Sequence, residues 1–149
     1  MLPDGNYLFA EKVIVAKLKE AAGEDVHVEC IGSTDDLQAA KHRFPGLYVL
    51  FAGDEVSPAQ AGAGKAVQAV QHWIVSAAVR CSDTLGTGSA ARETLGKLFL
   101  KVLVSLQGYE VAPGMTLSRT TCALPVMYES GHAFLAAEFL LTVDIAGGI

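Results

Sequence analysis

Along the chain the spacing of apolar positions switches between a helical and a strand period, and the switches lay out the elements. Over residues 7–22, Tyr7, Ile14, Leu18 and Ala21 share one helical face, and Glu11, Lys12, Lys19 and Glu20 are left to water. Asn6 or Asp4 is placed to cap this helix and Gly23 to stop it. "VHVECI" (26–31) alternates, with Val26, Val28 and Cys30 on one side, and predicts a strand. Thr34 then caps a short helix over 35–43. Its acids sit at the positive end of the helix dipole, its basic residues Lys41, His42 and Arg43 at the other end, and Pro45 terminates it. "LYVLFA" (47–52) is apolar on both faces, as a central strand is.

Residues 66–81 fit two periods. Val67, Val70, Ile74, Ala77 and Cys81 would line a helix; Trp73, Val75, Ala77 and Val79 would line a strand, with His72, Ile74, Ser76, Ala78 and Arg80 opposite. Trp, Ile and Val in succession favour the strand. Residues 90–107, capped by Ser89 or Thr87, form the strongest helix. Leu95, Leu98, Phe99, Val102, Leu103 and Leu106 make its apolar stripe, Glu93 and Lys97 pair outside with Lys101 above them, and Gly108 ends it. "MTLSRTTCAL" (115–124) predicts a strand, and Pro125 puts its end at an edge or a bulge. "YESGH" (128–132) is a turn. In the closing strand Ala133, Leu135, Ala137, Phe139, Leu141, Val143 and Ile145 point inward, and Phe134, Glu138, Thr142 and Asp144 point the other way. The last two strands are expected to form an antiparallel hairpin.

These elements predict one α+β domain over residues 1–149, with a mixed or antiparallel β-sheet covered on one face by two main helices. The opposite face, with His72, Ser76, Glu138 and Thr142, is the more polar one and is expected to meet water or a partner.

Composition narrows the function classes. With 51% hydrophobic and 18% charged residues the chain is not disordered. A net charge of −5 argues against nucleic acid as a partner, because that affinity comes from neutralising phosphates. The sequence holds no membrane-spanning apolar run, and "MLPDGNYLF" lacks the basic, then apolar, layout of a signal peptide. Cys30, Cys81 and Cys122 are far apart and form no CxxC, which points to reduced structural thiols.

One stretch imitates chemistry. "PAQAGAGKAV" (58–67) follows an apolar strand, as a phosphate-binding loop does. The motif needs Gly where Ala59 stands and a magnesium-binding Ser or Thr where Ala66 stands. Eleven residues also separate Gly53 from Lys65, too many for that loop. A flexible hairpin connection is the expectation, with no nucleotide, and "LLTVD" (140–144) is read as an ordinary strand end. His27 and Cys30 are three apart and diverge on a strand; His42, His72 and His132 have no partner at ligand spacing. No GxSxG surrounds any serine. A Cys–His pair brought together only by the fold is not excluded by spacing, although no activating neighbourhood is visible. The sequence thus predicts no catalytic, cofactor-binding or metal-ligating residue. Glu138, a charge in an alternating apolar strand, fits a solvated face, a salt bridge or a subunit boundary.

"FPGLYVLFAGDEV" (44–56), "QAVQHWIVSAAVR" (68–80), "LGTGSAARETLGKLFLKVLVSLQGYEV" (85–111) and "Y-x-x-G-x-A-F-x-A-x-E-F" (128–139), in this order, resemble a Mu-like phage and prophage family of small tail proteins, of the tail-terminator or tail-completion type. The resemblance runs from about residue 13 to 143. Its marks are packing patterns: the "PxLYVLFAG" strand, Gln71 and Trp73 at a strand entrance, and the "LxGY" helix end at Tyr109. It implies a structural, non-enzymatic role. Such proteins form a ring, generally a homohexamer, at the head-proximal end of the tail tube, where they stop polymerisation and offer a surface for head joining. The implied partners are further copies of the chain, the tail tube protein and a head-completion or connector protein, with no nucleic acid or membrane. The implied location is the bacterial host cytoplasm during assembly and then the virion tail. Asp54, Glu55 and Lys65 in the loop 54–65, and His72, Glu138 and Thr142 on the polar sheet face, are the candidate contacts. Two alternatives stay open: another phage assembly protein, such as a neck or head-tail connector, without a closed ring; and a small cytosolic enzyme, which needs a concave pocket with convergent polar groups.

Overall fold

The structure is a computed structural model that describes residues 2–32, 44–56, 66–81, 89–120, 124–129 and 131–146. After a 3-10 turn (Pro3–Gly5), the elements are α1 (Ala10–Ala22), β1 (His27–Ile31), β2 (Gly46–Val56), β3 (Ala66–Arg80), α2 (Ser89–Leu106), β4 (Glu110–Ala112), β5 (Met115–Thr116), β6 (Ser118–Arg119), β7 (Met127–Glu129) and β8 (His132–Ala146).

The main sheet runs β1-β2-β3-β8-β6, with β7 also paired to β8. Among the described strands, only β1 and β2 are parallel in it; the remaining pairings are antiparallel, so the sheet is mixed and the domain α+β. Its spine is the pairing of β3 with β8, unbroken from Ala66 opposite Ala146 to Arg80 opposite His132. At the usual rise, fifteen paired residues reach about 50 Å. The 66–81 segment is therefore a strand. Both of its edges are paired, and its Trp, Ile and Val side chains pack on the pleat.

Both helices lie on one face. There Leu47 and Val49 of β2, Trp73, Val75 and Ala77 of β3, and Ala137, Phe139 and Leu141 of β8 are buried. They meet Ile14 and Leu18 of α1, and Leu95, Leu98, Phe99, Val102 and Leu106 of α2. The α2 stripe is the expected one, with Leu103 half-buried, and Gly108 turns the chain at φ 74°. The expected pair of Glu93 and Lys97 stands 3.3 Å apart on the exposed side.

Two elements differ from expectation. α1 begins at Ala10, and its buried row is Ala10, Ile14, Leu18 and Ala22 rather than one through Tyr7 and Ala21. Asn6 does accept from the backbone of Leu8 at 3.0 Å, but it caps the turn leading into the helix. The second difference is the 115–124 strand, which is broken. Leu117, fully buried, donates its N–H to Tyr109 and accepts from Gly108, each at 2.9 Å. Its backbone is thus tied to the end of α2 and not to β8. On one side of it β5 pairs with β4 across the Pro113-Gly114 turn; on the other, β6 joins the edge of the main sheet. The closing hairpin is present as β7 and β8, turning through Gly131. The expected 35–43 helix, the 57–65 connection, Thr87 and Cys122 lie outside the described residues.

Candidate functional site: the open face of the sheet

The face away from the helices is divided into a charged half and an apolar half. The charged half depends on a bulge in β2. Phe51 is opposite Trp73, yet Asp54 is opposite Gln71, so β2 carries one extra residue at Ala52–Gly53. Strict alternation would put Glu55 on the same side as Val49 and Phe51, toward the helices. The extra residue reverses the parity and turns Glu55 to the open face.

There it meets His72. Nε2 of His72 is 3.2 Å from Glu55 Oε1, and Nδ1 is 2.8 Å from Glu138 Oε1. With a carboxylate at each ring nitrogen, the ring satisfies both by donating from both, which is the imidazolium form. The hydrogen bond to Glu138, followed by that to Glu55, raises the His72 pKa above its ordinary value, with burial acting against it. Three of the six residues singled out from the sequence, on three adjacent strands, thus form one acid–base–acid row. Thr142 is on the same face, exposed, one pair further along opposite Val70. Asp54 is not. Its register partner Gln71 points to the helix side, and Asp54 Oδ2 accepts from the Tyr7 hydroxyl at 2.6 Å. Burial, together with that bond, pushes the Tyr7 phenol up to about 12. Lys65 lies outside the described residues.

The apolar half was not foreseen. Ile31, Leu50, Ile74, Phe134, Leu124 and Met127 line a groove of about 230 Å³, with Ser76 in its floor and Glu129 at its rim. Tyr48 and Ala78 are buried beneath, against Phe134 and Phe44. Met127 and Leu124 are 59% and 39% exposed. The sequence did hold a signal: 47–52 is apolar on both faces, and Phe134 sits among the outward residues of β8. A strand apolar on both faces is normally covered on both, and here, among the described residues, helices cover one.

Cys30 and Cys81 are half-buried free thiols, and burial, aided by the Glu11 carboxylate, pushes Cys30 up to about 12. A thiol so raised is a poor nucleophile at neutral pH. Among the described residues, no three of His, Cys, Asp and Glu converge as metal ligands do. No helix among them is long and apolar enough to cross a membrane. The open face offers an extended surface with apolar and charged parts side by side, a geometry suited to holding another protein surface.

The family described as phage tail terminator protein matches residues 4–147. A search of curated proteins found no match.

Proposed function

The chain belongs to the phage tail terminator family, and from that premise we propose that it closes into a ring on the head-proximal end of the tail tube, ends tube growth and presents the surface to which the head is joined. Its role is structural, in tail assembly, and its place is the virion tail. In our reading it assembles in the host cytoplasm, as a homohexamer, against the tail tube protein on one side and a head-completion protein on the other.

The observation that carries the reading is the open face, with its row of Glu55, His72 and Glu138 beside an apolar groove. An exposed face of mixed character on a long, regular sheet is a contact surface for a repeated neighbour. Charges at such a boundary select partner and register more than they add affinity. A ring requires one surface of each copy to meet a different surface of the next.

The test is arrest of a growing tube. Purified protein added to the polymerising tail tube protein of the same phage is expected to shorten the tubes in proportion to dose. By electron microscopy it should sit at one tube end only. Tube lengths unchanged at excess protein, with no density at either end, would refute the proposal.

A further inference from the structure

Among the described residues, four of the six exposed large apolar side chains fall in two places. One is the groove rim just described. The other is the outer side of α2, where Leu100 is 59% and Val104 77% exposed, one turn apart on a single ridge. The buried stripe of α2 does not include either. Single exposed leucines are ordinary, but a ridge of two calls for a partner when a matching surface exists.

We infer that this ridge is the second half of the subunit contact: Leu100 and Val104 of one copy seat in the groove of the next, among Leu50, Ile74, Met127 and Phe134. The inference rests on the ring reading above and names the surfaces that make it. Three observations favour a second copy of this chain as the occupant. Charge is the first. Lys97 and Lys101 run along one side of the ridge, and with Glu93 paired to Lys97 the ridge keeps a net positive charge from Lys101, whereas the groove is bordered by Glu129 and by Glu138, the register partner of Ile74. Arg80 is the one Lys or Arg on that face among the described residues, at its far end beyond Ala78. Size is the second. At about 230 Å³ the groove is smaller than the ~300–1,000 Å³ typical of small-molecule sites, and suits inserted side chains. Direction is the third. α2 packs on the helix side of the sheet and the groove opens on the other, so a chain's own ridge cannot reach its groove. Contact between two different patches propagates from copy to copy, and it either closes into a ring or grows without limit.

This predicts a complementation that a symmetric contact does not give. Leu100→Glu spoils the ridge and leaves the groove; Met127→Glu spoils the groove and leaves the ridge. Both positions are exposed, so each variant should keep the far-ultraviolet circular dichroism of the parent. Native mass spectrometry of the parent, run alongside, should show the ring. Each variant alone is expected to be monomeric. Mixed in equal amounts, they should form a dimer and nothing larger, because each dimer has two dead ends. Combining Leu100→Glu with Met127→Lys in one chain should restore the ring. If either single variant keeps the parental ring, or the mixture gives no dimer, the ridge-to-groove contact is wrong while the ring itself stands. A parent chain that shows no ring in the same run overturns the contact as a bond between free subunits, and leaves tail capping to be judged by the tube assay.

Discussion

Glu55 and His72 stand on neighbouring strands, 3.2 Å apart, and they meet only because β2 carries one residue more than β3 between Phe51 and Asp54. The extra residue is accommodated at Gly53, whose φ is 100°. A Cβ there would meet nothing within 4 Å, so backbone conformation, and not space, reserves the position for glycine. Gly53→Val should therefore cost about 1–2 kcal/mol of stability, as expected for forcing a side chain into that region. Urea denaturation measures it. A loss well below that would mean that β2 tolerates another register, and that Glu55 is not held on the open face.

His72 gives the row a pH dependence of definite sign. Its folded pKa is raised, first by Glu138 and then by Glu55. The stability it contributes is fully present below the ordinary imidazole pKa and is lost as pH rises through the higher folded value. With the His72 and Glu138 side chains about a quarter exposed and that of Glu55 mostly exposed, the effect should stay near or below about 1 kcal/mol. Thermal melts of the parent and of His72→Gln between about pH 6 and pH 9 should differ most at the acid end and converge at the alkaline end. A gap that widens with pH would contradict the assignment.

On the other face, Gln71 does a different job. Fully buried, it donates from Nε2 to the Tyr7 carbonyl at 2.7 Å and accepts from the Trp73 indole at 3.0 Å. Replacing it by leucine leaves both partners unsatisfied in the core, which should cost roughly 2–4 kcal/mol. Trp73 is the only tryptophan, so its fluorescence reports the unfolding directly. A neutral Gln71→Leu would show that water reaches these groups.

Much of this was legible in the residues. The alternation in 133–145 and the stripe of α2 are period signals that tertiary packing had no reason to override, and they placed His72 and Glu138 on one face correctly. Glu55 was singled out as a loop charge; its meeting with His72 hangs on a single-residue bulge, which strand alternation alone does not reveal. Leu117 broke a predicted strand because its backbone bonds went to the end of α2, a choice made in three dimensions. The "P-G" pair at 113–114 that turns β4 into β5 was a readable turn signal, standing just before the predicted 115–124 strand and left unused. Leu100 and Val104 were hidden in plain view. In "KLFLKVLVSL" so many positions are apolar that the buried stripe absorbs attention and the two outward residues pass as part of it. Trp73 was read as a strand residue and Gln71 only as part of the family resemblance, and the structure supplies the bond between them.

The central claim, that this chain ends tail-tube growth and prepares the tail for its head, is tested most directly in the phage or prophage that encodes it. With the gene removed, electron microscopy of the lysate should show tubes of uncontrolled length, with heads unattached, and supplying the parent chain should restore uniform, joined tails. Tails of normal length joined to heads in the absence of the chain would contradict the account, whatever the oligomeric state of the purified protein.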